Sequence, residues 1–103
     1  MQLGGKMVHY EQIDGKLACQ FSHRLDSANC VKWEDGLYEK IAQMKLPVVF
    51  DLEKVNYVAS AFLRICIKVS KDIGKDNLKI THACSHVKKV FKISGLDKQL
   101  SIK

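Results

Sequence analysis

The spacing of the apolar residues changes several times along the chain between a strand pattern and a helix pattern. Leu17, Cys19 and Phe21 alternate with smaller or more polar neighbours, which is the period of a strand with one buried face. Three later stretches, which begin near residues 26, 60 and 85, repeat apolar residues at intervals of three and four, as amphipathic helices do. Helices and strands in alternation predict an α/β fold with a mostly parallel sheet and right-handed crossovers.

The predicted order of elements is β-β-α-β-α-β-α-β. The first two strands flank Asp14 and Gly15, which suit a type I′ turn because both residues tolerate positive φ. Three helices are few for a doubly wound sheet, so we expect a mixed sheet of about five strands with the helices mainly on one face and the hairpin at an edge. The strands are predicted at residues 7–13, 16–22, 47–52, 77–81 and 99–102.

Several residues at the predicted helix boundaries can begin or end a helix. Gly74 and Gly95 are placed to end the second and third helices. The strand at 47–52 is a short, almost continuous apolar run, which is typical of a central strand covered on both faces. Short polar side chains can accept a hydrogen bond from a free amide of the first helical turn. The predicted N-caps are Asp26 or Ser27 for the first helix, Ser60 for the second and Ser85 for the third.

The chain has 103 residues, of which 47% are apolar and 27% are charged. These values predict one globular domain that spans residues 1–103. The first residues, MQLGGKM, lack the long apolar run of a signal peptide, and no stretch approaches the roughly 20 apolar residues that span a bilayer. We therefore expect a cytoplasmic protein. The four cysteines lie far apart and are expected to be reduced core residues.

The sequence contains no recognisable catalytic constellation. It has neither a GxSxG nucleophile motif nor a glycine-rich phosphate loop after a strand. The segment HACSH holds His82, Cys84 and His86, which are residue types that bind zinc or copper. This segment should run from a strand end into a helix, where alternate side chains point apart. We therefore predict no catalytic residues, no cofactor and no metal site.

The formal charge of +6 is unevenly distributed. Residues 1–51 hold six Lys and Arg against seven Asp and Glu, a net charge of −1, and residues 52–103 hold eleven against four, a net charge of +7. The simplest interpretation is solvated helix faces, and the alternatives are an acidic partner or nucleic acid. A nucleic-acid-binding domain would use the basic side chains of Arg64, Lys68, Lys71, Lys88, Lys89 and Lys92.

Three segments carry a resemblance to a known family. They are FSHRLDSANC before the first helix, PVVFDLEKVNYVASAFL entering the second, and HVKKVFKISGLDKQLSI near the end. In this order, and over nearly the whole chain, they resemble the STAS domain, in particular the anti-sigma-factor antagonists. The resemblance implies a STAS-like, mostly parallel sheet covered by helices on one side. It also implies a non-enzymatic domain that works by binding other proteins.

The typical family member binds an anti-sigma factor that is also a serine kinase. That kinase phosphorylates a serine at the start of the second helix, within the motif Asp-Ser-Ser-Gly-Leu. On this chain the motif falls on residues 59–63, where Ser60 matches the phosphorylated serine and Leu63 matches the leucine. Ala59, Ala61 and Phe62 differ from the motif, so the phosphorylation motif is degenerate. Asp26 matches a family aspartate that lies on the same surface as the phosphorylated serine.

The resemblance thus implies a partner-binding surface with Ser60 as its candidate phosphorylation site. Ser60 could instead serve only as a helix cap, and Phe62 could either pack in the core or anchor a partner. We expect a monomer or weak dimer that binds a partner of the anti-sigma factor and serine kinase type. The alternative is a STAS subunit of a lipid-transport or transporter-associated complex. The predicted partner-binding residues are Asp26, Ser27, Asn56, Ala59, Ser60, Ala61 and Phe62.

Overall fold

A computed structural model describes residues 8–102. Met7, the first residue of the predicted first strand, lies outside the described residues. The elements follow the predicted order, with short 3-10 turns before the last two strands. They are β1 (Val8–Ile13), β2 (Lys16–Leu25), α1 (Ser27–Met44), β3 (Val48–Val58), α2 (Ser60–Ile73), β4 (Leu78–Thr81), α3 (Ser85–Ile93) and β5 (Ser101–Ile102).

The five strands form one mixed sheet in the order β1-β2-β3-β4-β5. Strand β1 pairs antiparallel with β2 at one edge, and the other neighbouring strands are parallel. Asp14 and Gly15 have φ values of 54° and 74°, so the turn between β1 and β2 has the two positive φ angles that a type I′ turn requires. The structure confirms the predicted α/β fold and the place of the hairpin.

The core lies between one face of this sheet and the three helices. Along β2 and β3 buried residues alternate with half-exposed or exposed ones over most of their length, because successive side chains point to opposite faces. The prediction that the strand at 47–52 is covered on both faces is wrong, since Val49 and Asp51 are only half-buried and line the open face. The buried residues in the centre of the sheet are Leu17, Cys19, Phe21, Val48, Phe50, Leu52, Leu78 and Ile80.

Two of the predicted helix caps need correction. Asp26 does cap α1, because its side chain accepts a hydrogen bond from the amide of Asn29. The residue before α2 is Ala59 and the residue before α3 is Cys84, and neither forms a side-chain cap. Ser60 and Ser85 are therefore the first helical residues, one position past the cap, where the serine oxygen does not take the capping role. Gly74 ends α2 and Gly95, with φ of 81°, follows the end of α3, as predicted.

Four aromatic rings from different elements meet at the centre of the core. Phe21 of β2 lies 5.0 Å from Trp33 of α1 and 5.2 Å from Phe62 of α2, measured between ring centroids. Phe50 of β3 lies 5.1 Å from Phe21. These contacts fix the first turn of α2 against the sheet and against α1. Within residues 8–102, no helix has both the length and the apolar character that a membrane crossing requires.

Candidate functional site

The ends of β2 and β3 lie side by side at one edge of the sheet. Leu25 pairs with Val58 in parallel register, and each strand is followed directly by a helix. The amide of Ala59 donates a hydrogen bond of 3.0 Å to the carbonyl oxygen of Leu25. The loop before α1 and the start of α2 are therefore held together by the backbone. We call this surface the rim, formed by residues 24–29 and 56–62.

Asp26 occupies one side of the rim. Its Oδ1 accepts a hydrogen bond of 2.9 Å from the amide of Asn29, and the side-chain amide of Asn29 donates to the carbonyl oxygen of Arg24. Its Oδ2 lies 3.6 Å from Nε of Arg24. Because the capping bond uses one carboxylate oxygen, the other oxygen remains directed toward the surface, where about a third of the side chain is exposed.

Ser60 occupies the other side of the rim. It is exposed, and it is the first residue of α2. The carbonyl oxygen of Ala59 accepts from the amides of Phe62 and Leu63, so the amides of Ser60 and Ala61 precede the first intrahelical bonds. The first turn of α2 contains no acidic residue. A group attached to the Ser60 hydroxyl would thus meet solvent and the positive end of the helix dipole.

Three other predicted residues also reach the surface of the rim. Ser27 and Asn56 are exposed, and Ala59 is half-exposed. The structure thus brings five of the predicted residues, Asp26, Ser27, Asn56, Ala59 and Ser60, to one surface.

The prediction that Ala61 and Phe62 contact a partner is wrong. Phe62 has 0% of its surface exposed, and its ring lies within the aromatic cluster. Ala61 is also buried, with 8% exposed. The reason is helical geometry, because the side chains of Phe62, Ile65 and Cys66 share the apolar stripe that faces the sheet. Of the two alternatives for Phe62, core packing is the one that the structure supports.

Arg24 and Tyr57 are rim residues that the sequence reasoning missed. They are register partners on β2 and β3, and the Arg24 guanidinium carbon lies 4.3 Å from the centroid of the Tyr57 ring. This distance is typical of a cation–π contact. The sequence could have indicated this contact only through the expectation that the ends of two neighbouring parallel strands lie side by side. That alignment depends on two register shifts between β2 and β3, each with one extra residue in β3, that no local pattern reveals.

Three of the four cysteines are held as protonated thiols. Burial raises the pKa of the Cys19 thiol to about 12 and that of the Cys30 thiol to about 11. Burial also raises the pKa of Cys66 well above its usual value. A protonated thiol is a poor nucleophile and a poor metal ligand, so these three cysteines are structural. Cys84 is exposed, and its Sγ lies 3.9 Å from the carbonyl oxygen of Val55.

One group of side chains on the open face of the sheet has the composition of a metal site. Asp51, Glu53 and His82 each offer a ligand atom, and these atoms lie within 4.8 Å of one another. Among residues 8–102, His82, Cys84 and His86 do not form such a group. The group shares no residue with the rim, since Asp51 and Glu53 precede Asn56, the first rim residue of β3, by five and three residues.

The comparisons with known proteins agree on one family. A model of the STAS domain matches residues 7–103. BtrV of Bordetella bronchiseptica, which is named as an anti-sigma factor antagonist, is 32% identical over 87 residues, which are 82% of this chain and 75% of BtrV.

Two solved structures show the same fold at low identity. An anti-sigma factor antagonist from Mycobacterium paratuberculosis has a TM-score of 0.83 at 20% identity, over 99% of this chain and 89% of that chain. SpoIIAA of Bacillus, in its unphosphorylated form, has a TM-score of 0.77 at 14% identity, over 93% and 87%. Together with the sheet order and the match over residues 7–103, these findings show that the chain belongs to the STAS domain family.

Proposed function

We propose that this chain is a regulatory protein-binding module of the anti-sigma-factor antagonist type. It binds a partner of the anti-sigma factor and serine kinase type through the rim, and phosphorylation of Ser60 weakens that binding. The single observation that supports this most strongly is the exposed Ser60, held beside the Asp26 loop by the bond from Ala59 to Leu25. The proposal places the protein in the cytoplasm.

The relatives support the choice of partner class. BtrV is named as an anti-sigma factor antagonist and shares 32% identity with this chain. SpoIIAA, a structural neighbour, has structures named for its unphosphorylated and its phosphorylated forms. We carry both properties to this chain as part of the proposal. Ser60 is exposed at the start of α2, the position that the family resemblance assigns to the phosphorylated serine.

The charge of a phosphate explains why binding would be lost. A phosphoserine adds about −1.5 to −2 charges, and the helix N-terminus stabilises a nearby anion by only about 0.3–1 kcal/mol. Burial of a charge against a partner without a matching cation costs several kcal/mol. Dissociation is therefore favoured unless the partner supplies arginines. The domain need not refold, because Ser60 already faces the solvent.

The proposal includes no enzymatic activity. The buried thiols are held protonated, with the pKa values of Cys19 and Cys30 raised to about 12 and about 11. The rim offers a carboxylate that is already used as a helix cap and a hydroxyl that faces solvent. A catalytic serine needs a base within hydrogen-bond reach. The supported role of the rim is recognition.

The experiment that tests this proposal is a hydrogen-exchange footprint of the complex. The purified chain is mixed with the anti-sigma factor and serine kinase encoded in the same genome, without ATP. We expect slower amide exchange at residues 24–29 and 56–62, because the partner covers them. Residues of the open sheet face, such as Lys16, Ala18 and Gln20, serve as the internal control and should not change. Protection of the open face with an unprotected rim would contradict the proposal.

A matched pair of variants tests the serine itself. Ser60→Asp adds a charge at the exposed first position of α2, and Ser60→Ala removes the hydroxyl without adding charge. We expect Ser60→Asp to weaken binding and Ser60→Ala to bind as the unmodified chain does. Phosphate mapped by mass spectrometry to Ser60, after ATP is added, would complete the test. Equal binding by both variants would contradict control by Ser60.

A further inference from the structure

The open face of the sheet carries a cluster that the proposed function does not use. Asp51 and Glu53 project from β3, and His82 follows the last residue of β4, Thr81. Asp51 is the register partner of Thr81, so the pairing of β3 with β4 brings His82 next to Asp51. Nδ1 of His82 lies 3.0 Å from Oδ1 of Asp51. The three groups thus meet because of the sheet pairing, across 31 residues of sequence.

The separation of these atoms suits a shared ion. Ligand atoms bound to a zinc ion lie about 2.0–2.2 Å from it, so two neighbouring ligands of a tetrahedral site are about 3.4 Å apart. Oδ1 of Asp51 and Nδ1 of His82 are 3.0 Å apart, which is a hydrogen-bond distance close to this spacing. One ligand atom each from Asp51, Glu53 and His82 lies within a span of 4.8 Å. Small rotations of the exposed Glu53 and His82 side chains would bring the three ligand atoms to the spacing that a zinc ion requires.

The charge and the exposure of the group also favour a cation. Two carboxylates lie beside the imidazole, and Lys54 lines a recess together with Asp51 and Glu53. The His82 side chain is 63% exposed and that of Asp51 is 16% exposed. An ion in solution can therefore reach the partly buried Asp51 carboxylate beside the exposed His82 imidazole. Nitrogen and oxygen donors of this kind suit zinc and similar divalent transition metals.

We propose that Asp51, Glu53 and His82 bind a divalent transition metal ion of the zinc type on the open face of the sheet. Water completes the coordination, since three protein ligands leave at least one position open. The site is independent of the rim and of the proposed partner. It also differs from the HACSH segment considered in the sequence, because only His82 of that segment belongs to it.

The test is a titration of the full reduced chain, free of affinity tags, with Zn²⁺ alone. Binding is followed by calorimetry and by competition with a chromophoric zinc indicator. We expect one site that saturates below millimolar Zn²⁺. Glu53→Gln and His82→Asn should each weaken the affinity by about tenfold or more, since each removes one of the three ligands. Asparagine is chosen because His82 has a φ of 60°, which asparagine tolerates better than alanine does.

Three control variants separate this site from other ligands in the chain. Cys84→Ser and His86→Ala remove the remaining metal-binding types of the HACSH segment. His9→Ala removes an exposed histidine that lies 3.9 Å from the carboxylate of Glu11. All three should bind Zn²⁺ within about twofold of the unchanged chain, and thermal unfolding checks that every variant is folded.

Three results would overturn the proposal. The first is no Zn²⁺ binding by the unchanged chain up to millimolar concentration. The second is affinity retained within about threefold in either Glu53→Gln or His82→Asn, because removal of a true ligand costs more than that. The third is a tenfold loss in Cys84→Ser or His86→Ala, which would assign the ion to the HACSH segment instead. None of these results bears on partner binding at the rim.

Discussion

The amide of Ala59 donates a hydrogen bond of 3.0 Å to the carbonyl oxygen of Leu25. This bond joins the residue before α2 to the residue before the cap of α1. It uses backbone atoms only, so it does not depend on the side chain of Ser60. We therefore expect the two halves of the rim to stay in register whether the Ser60 hydroxyl is free or modified. That is the property that a switch at the surface requires.

Asp26 has two roles that substitutions can separate. Asp26→Ala removes the side-chain oxygen that accepts from the Asn29 amide, and loss of an N-cap costs about 1 kcal/mol. Asp26→Asn keeps a capping oxygen but removes the charge. We expect urea unfolding to show the loss of stability for Asp26→Ala and a much smaller change for Asp26→Asn.

The control for this pair is Ser27→Ala. Ser27 is exposed and begins the helix without capping it, so its removal should change the free energy of unfolding by less than about 0.5 kcal/mol. If Ser27→Ala and Asp26→Ala destabilised the protein equally, the assignment of the cap would be wrong.

Ser60 is expected to contribute little to stability. It lies at the first position of α2 and no side-chain cap bond forms there, so Ser60→Ala should change the free energy of unfolding by less than about 0.5 kcal/mol. Ser60→Asp places a negative charge at the helix N-terminus and should stabilise by about 0.3–1 kcal/mol at low salt. Chemical denaturation at two salt concentrations measures both effects. A loss of about 1 kcal/mol in Ser60→Ala would indicate a capping role instead.

Phe62 should matter for folding rather than for recognition. Its ring is fully buried against Phe21 and Trp33, and removal of a buried phenylalanine side chain costs about 3–5 kcal/mol. Phe62→Ala is therefore expected to lower the midpoint of urea unfolding strongly. Phe62→Leu retains an apolar side chain and should cost less. A Phe62→Ala protein of unchanged stability that fails to bind the partner would contradict this interpretation.

Stability should fall at alkaline pH because of the buried thiols. Burial raises the pKa of Cys19 from 9.0 to about 12, so the unfolded chain loses this proton at a lower pH than the folded chain does. The folded state then binds more protons between these values, and stability decreases as pH rises through that interval. Burial also raises the pKa of Tyr10 to about 12, and this shift acts in the same direction.

Thermal unfolding at a series of pH values measures this dependence. We expect a nearly constant melting temperature between about pH 7 and 8, and a steady fall above about pH 9. Cys19→Ala should make the fall shallower, although it lowers the starting stability by leaving a small cavity. Cys84→Ser is the control, because Cys84 is exposed. A melting temperature that rose above pH 9 would contradict the assigned direction.

The regular periodicity of the sequence predicted most of the fold. The stripe of Cys30, Trp33, Leu37 and Ile41 is buried in α1, as its helical spacing implied. The end of β3 was missed, since the strand continues to Val58 through a segment that contains the charged residues Glu53 and Lys54. Both charged side chains are exposed and lie at a register shift between β2 and β3, which a local apolar pattern does not indicate. The strand β5 was predicted too long, because the amides of Gln99 and Leu100 donate to the carbonyl oxygen of Leu96 in the preceding turn instead of extending the strand.

The site was predicted in part for similar reasons. The family resemblance placed Asp26 and Ser60 on one surface, and the structure gives the physical reason, because each follows a strand of one parallel pair. The cap of α2 was misplaced by one residue, since serine at the first helical position and serine at the cap look alike in sequence. Arg24 and Tyr57 were missed because their contact depends on register shifts between β2 and β3. The cluster of Asp51 and His82 was missed because its members lie 31 residues apart.

The central claim is that the rim binds a partner and that a phosphate on Ser60 weakens this binding. The most direct test is calorimetry of the anti-sigma factor and serine kinase type of partner with two forms of this chain, one unmodified and one phosphorylated at Ser60 alone. A cost of about 3 kcal/mol for the uncompensated charge corresponds to roughly a hundredfold weaker Kd for the phosphorylated form. Equal Kd values for the two forms, with both forms folded, would contradict the account.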